Sequence, residues 1–343
     1  MIDLLVIGGG PAGLAAAIHA ARAGLSTTVL EPRRTPVDKA CGEGLMPGAV
    51  RALARLGVTV EGHPFHGIRY LEADGRRAAE ARFRAGHGLG VRRTALHAAL
   101  AARAEQVGVR HAAGRAEDLV LTEQAVVVGQ LAARHAVAAD GLHSPVRRAL
   151  GLHRPVADAR RPARYGQRRH FAARPWSDLV EVYWSRHAEA YVTPVSERTV
   201  GVAVLGSQRL PFDRQLAQFP DLLERLGGAE AGQVRGAGPL RQHATARVHG
   251  RVLLVGDAAG YLDALTGEGI AIALASAEAA VRCLTTDRPG AYEREWRRAT
   301  RPYRLLTTAL LAARQHPAIG PRIVRLAAAA PPLFRAGVNV LAR

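Results

Sequence analysis

The chain is nearly devoid of lysine and cysteine. Lys39 is its only lysine, although Lys and Arg together number 47. Positive charge is therefore carried by arginine, and the abundance of Arg, Ala, Gly and Pro matches a GC-rich coding composition. Cysteine occurs only at Cys41 and Cys283. Two cysteines build neither a disulfide framework nor a zinc site, so no metal is expected. Their scarcity fits a reducing, cytoplasmic setting. There is no uninterrupted apolar run of about 20 residues, so no membrane span is expected. The apolar start lacks a cationic leader and is broken by Gly8, Gly9 and Gly10, unlike a signal peptide. Internal repeats and low-complexity linkers are absent. The net charge of +18 is not accompanied by a helix-turn-helix, zinc-finger or RNA-binding motif. Its arginines form pairs such as Arg33-Arg34, Arg92-Arg93 and Arg168-Arg169 rather than blocks. No nucleic-acid partner is expected, and a basic nucleic-acid-associated protein that merely keeps a nucleotide fold is the remotest reading. An acidic substrate or a transient membrane contact suits the charge better, because a positive field steers anions.

Glycine and alanine, by contrast, are concentrated at the start. Ile2 to Ile7 reads as a short buried strand, followed at once by Gly8-Gly9-Gly10-Pro11-Ala12-Gly13. An Ala-rich helical pattern runs from Pro11 to about Arg22, Gly24 ends it, and Ser26 to Leu30 reads as a second strand closed by Glu31. This is the βαβ dinucleotide fingerprint in the context it requires. Gly8 makes the tight turn, Gly10 lets the backbone approach a pyrophosphate, and Gly13 lets the helix pack on the strand. The helix opened by Pro11 and Ala12 then presents free N–H groups and its positive dipole end to the phosphates. Glu31 is placed to accept both hydroxyls of an adenosine ribose. Its carboxylate would repel a 2′-phosphate, which points to FAD or NAD rather than NADP.

Further along, the loop Pro32 to Gly44 is too long for a simple αβ turn. A helix from Pro47 to Leu56 stops at Gly57. Residues 63–85 read as a hairpin, Thr94 to Ala104 as a helix, and Val109 to Val128 as short strands. Residues 134–140 form a strand ending in Asp140-Gly141, after which Ser144 caps a helix begun by Pro145. From Tyr165 to Leu205 the pattern alternates over four strands. Arg251 to Val255 returns to a buried strand followed by Gly256-Asp257. The remainder is helical, broken by Pro317, Pro321, Pro331 and Pro332. Segments 1–62, 89–162 and 241–300 are expected to form one discontinuous dinucleotide-binding domain, 63–88 and 163–240 a substrate domain, and 301–343 a C-terminal helical segment.

Three motifs thus follow strands: Gly8–Gly13, Asp140-Gly141-Leu142-His143-Ser144-Pro145-Val146-Arg147, and Gly256-Asp257-Ala258-Ala259-Gly260. In a doubly wound sheet such strand ends converge on one crevice. An Asp there can bind a ribityl hydroxyl or hold the glycine turn. In this order and spacing the motifs resemble FAD-dependent oxidoreductases of the para-hydroxybenzoate hydroxylase fold. Lys39-Ala40-Cys41-Gly42-Glu43-Gly44-Leu45 and Leu265-Thr266-Gly267-Glu268-Gly269-Ile270 resemble the geranylgeranyl reductase branch. The likeness covers nearly the whole chain, the last part loosely. It implies an α/β (α+β) fold: a Rossmann-like, doubly wound FAD domain, an inserted antiparallel-sheet substrate domain and C-terminal helices.

The resemblance also implies roles. Gly8, Gly10 and Gly13 meet the pyrophosphate of a non-covalent FAD and Glu31 its adenosine ribose. Arg93 reaches the phosphate or ribityl region. Ala116, on the strand after that helix, touches the adenine, and Asp257 binds the ribityl chain. Gly267, Gly269 and Ile270 belong to a helix start whose dipole stabilises the negative charge of reduced flavin. Two departures stand out: the branch's usual proline three residues before Gly267 is Ala264, and its aromatic-rich strand motif is Tyr191-Val192-Thr193-Pro194. The double-tryptophan motif of halogenases is absent, and Lys39 is not read as a halogenase lysine.

Each singled-out residue also has a plain structural reading. Cys41 is read as a small residue filling a tight loop, with flavin contact as the functional alternative. Cys283 is core. His170, Tyr165, Tyr183 and Tyr191 lie on the inserted sheet, where packing is the first reading and acid–base work, at His170 or Tyr191, the alternative. His143 is a loop residue, Glu268 is read first as a cap of its helix with approach to the flavin as the alternative, and the C-terminal helices are read as packing, with covering the substrate cavity or resting on a membrane as the alternatives. With one dinucleotide fingerprint, NADH or NADPH would dock transiently as reductant. The first functional expectation is an NAD(P)H-dependent monooxygenase, using molecular oxygen on an apolar or aromatic small molecule such as a polyketide. The second is a flavoenzyme reducing carbon–carbon double bonds of a prenyl or lipid substrate.

Overall fold

A computed structural model describes residues 1–155 and 162–342. The expected segment 89–162 therefore includes six residues, 156–161, outside the described part. Strand β1 (Ile2–Ile7) leads into helix α1 (Pro11–Arg22) and strand β2 (Thr27–Leu30). After a loop come helix α2 (Pro47–Leu56), the hairpin β3 (Gly67–Glu72) and β4 (Ala78–Arg82), and helix α3 (Arg93–Gln106). Strands β5 (Arg110–Ala112) and β6 (Leu131–Ala138) precede the short helix α4 (Pro145–Ala149). Strands β7 (Tyr165–Phe171), β8 (Val180–Trp184), β9 (Ala188–Ser196) and β10 (Thr199–Gly206) follow. Helices α5 (Phe212–Leu216) and α6 (Pro220–Leu226) and strands β11 (Arg235–Ala237) and β12 (Val252–Leu254) come next. The chain ends in α7 (Gly269–Thr285), α8 (Tyr292–Gln315), α9 (Ile323–Ala329) and α10 (Pro331–Leu341).

Strands β12, β6, β1, β2 and β5 lie side by side and parallel. Their register aligns the C-terminal ends: Ile7 pairs with Ala138 and Leu30, and Ala138 with Leu254. Gly8, Glu31, Asp140 and Gly256 therefore leave the sheet along one edge, where the strand order reverses around β1. Leu4, Leu5 and Val6 are fully buried beneath α1, whose Ala15, Ala16, Ala17 and Ala20 are fully buried too. Those small side chains let α7 pack closely on α1 through its own Ala273, Ala277 and Ala280.

A second sheet has the order β11–β7–β10–β9–β8–β3–β4. It departs from a purely antiparallel expectation at one junction, since β8 runs parallel to β3. Parallel neighbours need a crossover, and here the polypeptide of the first sheet supplies it. Alternation divides its faces. Tyr183, Val192, Val202 and Val204 pack under Phe212 and Leu216 of α5, Phe219 just before α6, and Leu222 of α6. Val180, Val182 and Trp184 pack against Ile323, Val324 and Val338 of the C-terminal helices, with Tyr191 alongside. The expected prolines do separate those helices, but Pro302 lies inside α8, which is 24 residues long in all. Among the described residues no helix is long and apolar enough to cross a membrane.

A buried ion cluster joins the second sheet to the rest. Arg164 donates to Glu189 on β9 (2.6 Å) and to Asp263 (2.9 Å), while Arg314 of α8 pairs with the other Glu189 oxygen. Glu189 is fully buried. Removing one partner of such a cluster leaves an uncompensated charge. Arg164→Ala is expected to cost about 3–5 kcal/mol, read as a lower urea midpoint; an unchanged midpoint would show that the cluster contributes no net stability.

Candidate functional site

The turn after β1 is shaped by the space its glycines leave. Gly8 has φ +105°, and a Cβ there would lie 2.5 Å from the Ala139 carbonyl oxygen. A Cβ on Gly13 would lie 1.9 Å from the Gly8 carbonyl oxygen, so only glycine lets α1 sit this close. At Gly10 the opposite holds: a Cβ would meet nothing within 4 Å. That open space lies over the N-terminus of α1, which no side chain caps and whose first turn, with Pro11 and Ala12, holds no acid. Such an end favours an anion.

Glu31 leaves β2 beside this turn. Its Oε2 accepts from the Gly9 N–H (2.8 Å), and Arg33 closes on both oxygens (2.6 and 3.0 Å). Burial raises the cost of ionising Glu31, but Arg33 and the Gly9 N–H outweigh it, and the carboxyl titrates below its ordinary value. The ribose role thus meets a carboxylate that already has two partners. Arg33 is exposed, so a sugar hydroxyl could replace it. Beneath Gly9, His97 of α3 is buried and its Nε2 contacts the Gly9 carbonyl (2.9 Å). Neither Arg33 nor His97 belongs to a motif, so nothing in the sequence marks either for this site.

The opposite wall comes from the other two strand ends. Arg147 is fully buried and donates to the carbonyls of Leu142 (2.9 Å) and Ala258 (2.9 Å) and to Gln242 (3.0 Å). It therefore pins the Asp140 loop to the Gly256–Ala259 turn. Asp140 holds its own turn: Oδ2 accepts from the Val146 N–H (2.9 Å), whereas Oδ1 is buried without a partner. Gly256, at φ +57°, places Asp257 in the crevice. Burial pushes the Asp257 carboxyl up, opposed by Lys39, Arg93 and Arg147. Arg93 is 5% exposed; its backbone N–H donates to Glu43 (2.8 Å), and its Nη1 is buried without a partner. A buried guanidinium N–H with no acceptor costs free energy unless an anion meets it.

The loop before α2 closes the site. Glu43 adopts φ +60° and is buried. Its Oε2 meets His170 Nε2 (2.5 Å), and His170 Nδ1 lies 3.1 Å from Arg168, which also bonds Asp38 (2.6 Å). His170 is thus the middle of a buried network, between Glu43 and Arg168, that anchors this loop to β7. The Glu43 N–H donates to Cys41 Sγ (3.4 Å), and burial pushes the Cys41 thiol up, against a thiolate. Tyr191 donates its hydroxyl to the Leu265 carbonyl (2.6 Å). Tyr183 bonds Asp221 (2.8 Å) on the far face of the sheet, and Tyr165 stacks under Arg209.

Two expectations need correction. Ala116 lies in irregular backbone beyond β5, not on a strand, because β5 ends at Ala112. Glu268 occupies the N-cap of α7, yet its side chain makes no capping bond and is buried with both oxygens unpartnered. Gly267 has φ +72°, Gly269 begins α7 against the Tyr261 ring, and Ile270 packs on the main core.

These observations fit a dinucleotide. The uncapped end of α1 and the orphaned Arg93 donor suit a pyrophosphate, and the free Asp140 oxygen and the Asp257 carboxyl suit sugar hydroxyls. Residues 1–287 match the family model described as an FAD binding domain. The chain is 29% identical over 323 residues to the menaquinone reductase of Mycobacterium tuberculosis, spanning 82% of this chain and 76% of that protein. It is 29% identical over 305 residues to digeranylgeranylglycerophospholipid reductase 1 of Methanopyrus kandleri, spanning 79% and 77%. A flavoprotein/dehydrogenase from Cytophaga hutchinsonii superposes with TM-score 0.84 at 19% identity, over 99% of this chain and 92% of that one, which shows the fold.

Arg93→Met is expected to weaken binding of added FAD by about ten- to a hundredfold, the value of a charge-assisted hydrogen bond. Fluorescence titration reads it. Unchanged affinity would remove Arg93 from the site.

Proposed function

From the fact that this chain belongs to the FAD binding domain family and is a flavin oxidoreductase, we propose that it reduces a carbon–carbon double bond in the isoprenoid part of an apolar lipid or quinone. Bound FAD supplies the capacity to accept and pass on a hydride. The protein's own part is to bind, orient and shield. The α1 end and Arg93 hold the pyrophosphate, and Glu31, Asp140 and Asp257 take the sugar hydroxyls. The first turn of α7 offers its positive end to the charge that reduction leaves. NADH or NADPH would dock transiently as reductant, because one dinucleotide fingerprint is occupied by FAD.

The observation that carries this reading concerns the second sheet. Its two acid–base candidates are already engaged: Tyr191 donates to the Leu265 carbonyl, and His170 lies between Glu43 and Arg168. Burial also pushes the Tyr191 phenol well up. Neither is free to deprotonate a phenol, as hydroxylation of an aromatic substrate asks. Around Tyr191 the packing between the sheet and the C-terminal helices is aromatic and apolar, with the Tyr70 ring tilted against Trp184 and Phe334 (5.1 and 4.7 Å between ring centroids). The relatives named as reductases support the same choice, and hydroxylation becomes the second reading.

The test uses FAD-loaded protein, NADH or NADPH, and menaquinone without oxygen. The expected result is a product that stays heavier by two hydrogens after its ring has been reoxidised in air, which returns any quinol to quinone and leaves only a reduced side-chain double bond. The same mixture with an aromatic polyketide and isotopically labelled oxygen tests the alternative: label in the product, with no hydrogenation of menaquinone, would replace reduction by hydroxylation.

A further inference from the structure

Glu268 is out of place on ordinary grounds. A carboxylate at a helix N-cap normally accepts N–H groups of the first turn and gains from the dipole. Here the side chain turns away, is 2% exposed, and leaves both oxygens without a hydrogen-bond partner. It lines a small cavity with Tyr261, Thr266, Thr300, Arg304 and Thr307. The groups that could compensate a charge are engaged or distant. Thr266 and Thr307 bond each other (2.8 Å), Arg164 is taken up by Asp263 and Glu189, and Arg304 stacks on Trp296. Tyr303 of α8 lies near enough to Glu268 to feel its charge, and among the described residues no cation lowers the cost of burying the carboxylate. An unpaired buried charge takes up a proton rather than persist. Burial alone lifts this carboxyl to about 9.

We propose that Glu268 is held as a neutral acid, so that the positive end of α7 stays uncompensated for the negative charge that reduction places on bound FAD. This rests on the flavin reading above. Glu268 is a positioning residue, acting through the helix end. By linkage, a group whose ionisation disfavours the reduced state is itself held more firmly protonated in that state. Above the Glu268 pKa an anion would share the helix end with the reduced cofactor, and reduction would become harder.

The experiment compares wild type with Glu268→Gln, a neutral mimic of the protonated acid, in two measurements. In the first, infrared difference spectra at neutral pH are expected to show a protonated-carboxyl stretch present in wild type and missing in the variant. In the second, the reduction potential of bound FAD is followed against pH. Wild type is expected to fall more steeply once pH exceeds about 9, whereas the variant matches it below that pH and lacks the break. Identical infrared spectra, or the same break in both proteins, would overturn the proposal. Should Glu268→Gln not fold, Glu268→Leu supplies the same comparison. The infrared measurement needs no flavin. A chain that bound no FAD would therefore overturn the proposed function while leaving the neutral state of Glu268 separately decided. The sign of the pH effect on folding gives a third readout. The folded state keeps a proton that the unfolded chain sheds above about 4.5, so wild type loses this stabilising contribution as pH rises towards 9, and Glu268→Gln does not.

Discussion

Helix α1 can only be where it is because Gly13 has no side chain. A single added carbon would lie 1.9 Å from the Gly8 carbonyl oxygen, well inside van der Waals contact. That approach aims the uncapped end of α1 at the edge where β1, β2, β6 and β12 end together. It also fixes α7, which packs on the alanine face of α1, so that a second helix N-terminus opens towards the same region. Two positive helix ends and the orphaned Arg93 guanidinium thus surround one crevice.

The second sheet is tied to that crevice by charges rather than by apolar contact alone. Glu43, in a left-handed conformation, joins the Arg93 backbone to His170 on β7. Glu189 gathers Arg164 and Arg314, and through Arg164 reaches Asp263 in the segment before α7. Burying such ions is costly unless each is paired, and among these the pairs are close. One cluster grips the loop before α2, the other the segment before α7. Both segments therefore carry rigid backbone to the place where the sheet and the dinucleotide site meet.

Acids around the crevice divide by their partners. Glu31, clasped by Arg33 and the Gly9 N–H, stays ionised more readily than a free carboxyl. Asp140, Asp257 and Glu268 are pushed the other way by burial. A negatively charged dinucleotide is better served by acids whose ionisation burial disfavours than by a ring of acids each held ionised. The excess of arginine gives the protein a net charge of +18, a field that attracts such an anion.

What the sequence determined by itself is local and periodic. The strand, the three glycines, the Pro11 helix start and Glu31 occupy 31 residues whose spacing already implies the turn, because backbone sterics and helix geometry act over a few positions. The Ser144 cap and Pro145 were equally legible, as were the four alternating strands. Tertiary structure decided the rest. Nothing in local pattern tells that β8 lies parallel to β3, that His170 meets Glu43, or that Arg164 spans Glu189 and Asp263, since each joins residues far apart in the chain. Glu268 shows the limit most plainly. Its place at a helix start predicted a cap, and only the packing of α8 against α7 shows a carboxyl enclosed without a partner, because burial is a property of the whole fold and not of the residue's neighbours in sequence.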